Sequence, residues 1–516
     1  MTEEKPLHES LSTAQRVFLT LSLMVGVFMA ILDTTIVDII VPKMMAPLST
    51  DLYGVQWVIT AYMTAAATAI MLVEWLETKV GLKKVFTAGL FLFTTSSFFA
   101  GNAQSLEWMI TARVVQGFGE SLIVVSAEAM LFSAYAPEKR GLAMGIYGLG
   151  VSFAPALGPT LGGWIAEHID WRWVFYINIP IGILNFLGAT FFLPDYKPKH
   201  TFRLNFVSFF FLSVATVSLL IVLSKGQQLG WFSSELIGYL TFLSIGSFLL
   251  FALSELLSKN RLIDYSIFRI KEFVVAFWVY CFVLGFSMYQ VFYLLPLYFE
   301  RLKGLTTFQA GLHILPLALN IGLFSPVAGF ISDKKSSLLP LFIASALYLY
   351  SVFFILSDFN YYTPALRAAF LLVPLGIGMG FFFAPITNLA LKNLGDKTTL
   401  GVSLMHYIRF VGGSFGTALA TNDLQKFMAE NYDRMVEIQN YQRAWSFLEI
   451  LTEWGGLTEE KAKYYLQSIQ SLYALSDSFE RTFFNAGYWA LLGVIPILYL
   501  LYQSRKSLKP SMNERA

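Results

Sequence analysis

GLGVSFAPALGPTLGGWI, residues 148–165, is the stretch on which the reading of this chain turns. Gly148, Gly150, Gly158, Gly162 and Gly163 share one apolar helical run with Pro155 and Pro159. Glycines at such spacing let another backbone approach closely. Prolines interrupt the hydrogen-bond ladder and allow the helix to bend. Taken alone, the run fits plain helix packing as well as it fits a hinge.

The rest of the chain sets its context. Of 516 residues, 56% are hydrophobic and 14% charged, whereas a soluble domain carries roughly a quarter charged residues. The apolar residues fall in runs of about 20, the length that crosses a bilayer as a helix. About fourteen such runs are predicted, near 17–42, 53–73, 85–101, 106–131, 142–165, 173–193, 204–224, 234–254, 273–299, 307–331, 339–357, 365–390, 399–423 and 482–503. The polar start MTEEKPLHESLSTAQR leads into the first run without a small-residue cleavage site, so that run reads as a retained helix rather than a signal peptide. The one cysteine, Cys281, lies within an apolar run and can form neither an internal disulfide nor a thiolate metal site. The five histidines show no ligand spacing, and no GxxxxGKS loop or nucleophile–base set is present. These features exclude an ATP-driven pump and argue against an enzyme; no cofactor is expected beyond a proton gradient.

With a cytoplasmic N-terminus, the cytoplasmic tails and loops hold about 22 Lys and Arg and the external loops about 6, as the positive-inside rule requires. LETKVGLKK (76–84), APEKR (136–140), KPKHTFR (197–203) and SRKSLK (504–509) carry this bias. The C-terminus is then cytoplasmic too, and the long loop at about 424–481 is external. Within it LTEEKAKYYLQSIQSL (457–472) is helix-like, with Thr458 as candidate N-cap. EWLETKVGLKKVF (74–86) and GFISDKKSSLLPLF (329–342) form a weak internal repeat. It predicts two six-helix bundles, residues 1–193 and 273–516, joined through 194–272 by two extra transmembrane helices.

The glycine–proline stretch is accompanied by LDTTIVDIIVP (32–42), ARVVQGFGE (112–120) and WRWVFYINIPIGI (171–183). GQQLGWFSS (226–234), LIDYSIFR (262–269), AGLHILPLALNIGLFSPVAGFISD (310–333), GIGMGFFFAPITNLAL (376–391) and YIRFVGGSFGTAL (407–419) follow in order. Together they resemble the fourteen-span drug–proton antiporters of the major facilitator superfamily, the EmrB/QacA type. WLETKVGLKKVF (75–86), TNDLQKF (421–427) and WGGLTEEKAKYYLQSI (454–469) are most similar to the EmrB group. The resemblance implies an all-α fold and proton coupling, with Asp33 and Arg113 in that role and Gly150, Pro155, Gly158, Pro159, Gly162 and Gly163 as the antiporter motif. It also implies a periplasmic adaptor of the EmrA kind and an outer-membrane channel of the TolC kind. One departure stands out. In the loop after span 2, Glu74, Thr78 and Lys79 replace the family's usual Gly, Asp and Arg, and Gly81 alone is kept. Asp333 survives in the second half, and whether Lys79, Lys83 and Lys84 replace the cytoplasmic latch stays open.

Charges inside spans are costly and mark functional candidates. Asp33 and Arg113 lie roughly 13 and 10 Å from the external ends of their helices, so their depths match; a static ion pair is the alternative. Glu120 shares a helix face with Arg113 and lies near mid-membrane, where it would carry a second proton or attract cations, or sit as a neutral acid. Glu128 reads as a solvated mouth residue and Asp38 as hydrated at the external interface. His313 and His406 read as packed, each with a local hydrogen bond. Tyr289, Gln290, Tyr293, Asn388 and Arg409 are candidates to line a greasy cavity. The expected function is proton-coupled export of lipophilic or amphiphilic drugs. The alternative is export of one endogenous metabolite, lipid or siderophore; a passive channel or a sensor would not need a buried acid–base pair.

Overall fold

The computed structural model describes residues 6–197, 202–438 and 441–507. Parts of KPKHTFR and SRKSLK, and the side chains of Asp38 and Trp454, lie outside the described residues. Among the described residues the fold is all helical. In chain order the long helices are α1 (Thr13–Met44), α2 (Trp57–Ile70 and Val73–Val80), α3 (Leu82–Gly101), α4 (Leu106–Ala134), α5 (Arg140–His168), α6 (Trp173–Phe192) and α7 (Phe206–Lys225). They continue with α8 (Glu235–Leu257), α9 (Lys271–Leu302), α10 (Thr307–Lys334), α11 (Leu338–Asp358), α12 (Ala365–Leu391), α13 (Thr398–Ile438) and α14 (Glu459–Ser507).

Ten of these are long and apolar enough to cross a bilayer, and the bent helices α2 and α5 raise the number to twelve. The other two, α3 and α13, are long but more polar: α3 opens on Lys83 and Lys84, and α13 carries His406 and Arg409. Every one of the fourteen expected runs is thus helical over most of its length. The bend in α5, 41°, falls between Pro155 and Leu157, where the sequence places its helix-breaking residues.

The largest departure from the expected layout is at 424–481. The two flanking helices do not stop at the apolar limit. They run on as α13 and α14 into a hairpin of paired helices, and α14 alone is 49 residues, on the order of 70 Å. Arg481 of α14 donates to Glu430 (3.2 Å) and Asn431 (3.3 Å) of α13 and stacks on Phe427. Asn485 donates to Asp423 (3.0 Å) and Asn431 to Ser478 (3.3 Å). Thr458 accepts from the Lys461 amide at 3.5 Å, as its N-cap placement predicts. We call the side that carries the hairpin the hairpin face, and the opposite side, where α1 begins and α14 ends, the terminal face.

α1 to α6 pack among themselves, α7 and α8 pair with each other, and α5 lies along α10 for its whole length. The glycines of α5 make that last contact possible. A Cβ on Gly141 would stand 2.6 Å from the Gly329 carbonyl, and one on Gly145 2.8 Å from the Ser325 carbonyl. At the other end, a Cβ on Gly163 would stand 2.7 Å from the Phe308 amide nitrogen. The two helices therefore touch backbone to backbone near both faces.

Candidate functional site

α4 positions most of the buried charge. Ser105 caps it, accepting from the Trp108 amide at 3.3 Å. Gly117 lets the α2 backbone at Tyr62 approach, and Gly119 does the same for Phe93 of α3. This close packing removes water from the α4 side chains Arg113, Gln116, Glu120 and Glu128, all buried.

Asp33 of α1 accepts from Arg113 at 2.5 Å, from Asn178 at 2.7 Å and from Gln116 at 3.1 Å. Arg113 also donates to Gln116 (2.7 Å) and to the Val58 carbonyl (3.2 Å), and its guanidinium lies 3.8 Å from the centre of the Tyr62 ring. Gln116 donates onward to Ser97 at 2.9 Å. The pair matched by depth in the sequence is thus in direct contact, with both side chains at 1% exposure or less. Such a pair endures burial only when its remaining donors and acceptors are satisfied, which the two amides do. Gln116 and Asn178 were not singled out from sequence. The available signal was an uncharged amide within each of the motifs ARVVQGFGE and WRWVFYINIPIGI.

The glycine–proline stretch meets the same site. A Cβ on Gly158 would stand 2.2 Å from the Thr35 hydroxyl, and one on Gly162 3.3 Å from Ile36. Gly150 faces Met24. Residues two and three positions beyond Asp33 are therefore seated on α5, between its two prolines and Gly163.

Glu120 lies beside Tyr62 and faces Arg409 of α13, and its Oε2 has no hydrogen-bond partner among the described residues. Arg409 is buried, with Tyr289, Tyr280, Tyr147 and Glu128 among the titratable groups around it. Gln290 is fully buried, with neither amide atom hydrogen-bonded among the described residues, and Tyr293 is half-buried on the same helix. Asn388 is not with this group. It sits at the terminal-face end of α12, donating to Ser332 (3.1 Å) and Ser337 (3.5 Å).

Glu128 is not a solvated mouth residue: it is fully buried, because α4 is covered there by α5, α9 and α13. His406 is not bonded locally but to Glu128, 2.5 Å away and 278 residues distant in the chain. His313 does bond locally, to the Gln309 carbonyl at 2.8 Å.

On the terminal face, Asp333 at the end of α10 accepts from the amides of Gly141 (2.6 Å) and Leu142 (2.7 Å) at the start of α5. It caps a helix of the other half. Lys79, Gly81 and Lys83 are tied elsewhere, to the segment after α6. The Lys79 carbonyl accepts from Lys197 (3.1 Å), and Lys83 lies 3.8 Å from Asp195. Gly81, at φ +88°, packs against the Tyr196 carbonyl. Beside them, Lys397 pairs with Asp264 at 2.6 Å. Partial burial would raise the Asp264 pKa, but the bonds from Lys397 and Ser266 outweigh it and hold it below the ordinary value. If Asp333 holds the terminal face shut, Asp333→Ala should loosen it by about 1 kcal/mol. Labelling of a cysteine at buried Ser325 by an impermeant maleimide should rise roughly fivefold; unchanged labelling would reject the cap as a latch.

A family model described as Major Facilitator Superfamily matches residues 23–417. Multidrug export protein EmrB of Escherichia coli (strain K12) is 28% identical over 508 residues, covering 96% of this chain and 97% of that protein. Fatty acid resistance protein FarB of Neisseria gonorrhoeae is 31% identical over 431 residues, 83% and 84% of the two chains. Among solved structures, the proton:xylose symporter XylE superposes with a TM-score of 0.59 at 13% identity, over 95% of this chain and 96% of that one, a likeness of fold alone.

Proposed function

The chain belongs to the major facilitator superfamily, and from that premise we propose that it exports lipophilic or amphiphilic compounds across the inner membrane in exchange for protons. It is a multi-pass secondary transporter related to EmrB-type exporters, not an enzyme. The observation that carries the antiport reading is the Asp33–Arg113 pair, buried and held by two amides within the first six helices. A carboxylate so placed gains or loses its proton according to whether the surrounding helices admit water.

The loop charges support a cytoplasmic terminal face, and the hairpin then stands in the periplasm. Tyr464 and Tyr465 are exposed there and Leu466 is half-buried, a surface suited to an adaptor of a tripartite pump. Replacing about 430–475 by a short turn should abolish adaptor pull-down and leave transport in vesicles intact. Retained pull-down would show that the hairpin is not the docking element.

FarB, named for fatty acid resistance, favours a second reading in which the cargo is one acidic lipid. Inverted vesicles carrying an acid-interior gradient decide between them. Uptake of several unrelated amphiphiles, lost on adding a proton ionophore, fits the first reading. Uptake of fatty acids alone fits the second, and ionophore-insensitive uptake removes proton coupling from both.

A further inference from the structure

The Asp33 network has one property that the antiport reading leaves unused: all its partners lie on α1 to α4 and α6. Nothing in it spans the two halves. Parting of the halves would not break a single one of its bonds.

The Glu128–His406 contact does span them. Glu128 stands on α4 and His406 on α13, both at 0% exposure, with Oε2 and Nε2 2.5 Å apart. An oxygen and a nitrogen at this distance are hydrogen-bonded, with one proton between them. The outer atoms of the pair, Glu128 Oε1 and His406 Nδ1, have no hydrogen-bond partner among the described residues. A contact so incompletely satisfied contributes little to fold stability and is readily given up. Facing it are Tyr147 from α5, Tyr280 from α9, and Arg409 one turn along α13, with Glu120 about two turns away along α4. Counted as a buried set, Glu120, Glu128, His406 and Arg409 hold two carboxyls against one permanent cation. Neutrality in the absence of water requires one added proton.

Position along α4 adds a direction. Arg113 is seven residues from the hairpin-face end and Glu128 six from the terminal-face end, roughly 22 Å apart. We infer that Glu128 and His406 form a second proton-binding site, made when the halves close on the terminal face and broken, with release of its proton to that side, when they open. The inference rests on the antiport reading and adds to it where the proton leaves. On opening, the Oε2–Nε2 contact parts, water reaches both groups, and the shared proton passes to solvent, leaving carboxylate and neutral imidazole.

The test is linkage between pH and closure, read without any substrate. Spin labels at Lys139→Cys and Lys335→Cys, both exposed and flanking the Asp333 contact, report terminal-face separation in a Cys281→Ser background. The wild-type closed-to-open ratio should fall with rising pH, by up to about tenfold per pH unit for this one linked proton. Glu128→Gln and His406→Gln should each remove that tenfold step, and Asp33→Asn should retain it. The double variant Glu128→Gln, His406→Gln, whose amides can still bond each other, guards against loss of folding and should also be insensitive. A wild-type slope in both single variants, or its loss in Glu120→Gln alone, overturns the inference. The antiport reading fails on a separate result, wild-type uphill transport by Asp33→Asn.

Discussion

Asp33→Asn should abolish uphill export while substrate binding persists. The asparagine keeps an oxygen to accept from Asn178 and Gln116, so the three-helix junction retains its shape. What it cannot do is carry a proton or neutralise Arg113, whose guanidinium pairs with no other carboxylate among the described residues. One charge moved across 100 mV is about 2.3 kcal/mol, a gradient of roughly fifty-fold. Removing a coupled proton forfeits that drive. An unpaired buried Arg113 also destabilises the fold, by about 3–5 kcal/mol in comparable cases. A lower melting temperature is therefore expected beside retained binding, and Asp33→Glu should restore part of both. Accumulation ratios in vesicles, compared with equilibrium binding in detergent, separate the two effects.

The second large effect is expected at Gly163. Its missing side chain faces the backbone of Thr307 and Phe308, with a Cβ placed 2.7 Å from the Phe308 nitrogen and 2.9 Å from its Cα. Backbone at the first turn of α10 cannot swing aside as a side chain would. Gly163→Val should keep the hairpin face from closing, at a cost of about 1–3 kcal/mol, typical of an overpacked contact. A bias of that size shifts a two-state equilibrium roughly 5- to 150-fold. Net transport should fall accordingly, and spin labels on the hairpin-face ends of α5 and α10 should move apart. Gly238, on α8, has nothing within 4 Å of its Cβ position, so Gly238→Val supplies the control and should transport normally. Normal transport by Gly163→Val would mean that the α5–α10 contact opens without consequence.

Much of this was legible from the chain, for identifiable reasons. Span positions follow from hydropathy alone, because a bilayer imposes a length. Asp33 and Arg113 stood out because charges inside apolar runs are few, and counting rise per residue sufficed to match their depths. The glycines of α5 could be recognised as contact points, but not assigned. Which of them face α1 and which face α10 depends on how the halves come together. The same limit hid Glu128 and His406. Glu128 reads as a residue near the cytoplasmic end of its helix, and His406 as a packed histidine with a local hydrogen bond, until the two halves are brought together; His406 and Arg409, one turn apart in a span, were the available signal. The reach of the flanking helices into the hairpin was not legible for another reason. Hydropathy falls after about residue 423, while helix-forming residues such as those of DLQKFMAENYDRMVEI (423–438) continue unbroken. A hydropathy reading ends a helix where the membrane ends, not where the helix does.

The central claim is that Asp33 couples export to protons. The most direct test runs the transporter backwards: proteoliposomes are loaded with a transported amphiphile and diluted, without any pH gradient, and internal pH is followed with a trapped dye. The account predicts that outward flow of substrate drives protons inward and acidifies the lumen in the wild type, and that substrate leaves Asp33→Asn vesicles with no pH change. Acidification by Asp33→Asn equal to the wild type, or substrate efflux from the wild type without any pH change, would contradict it.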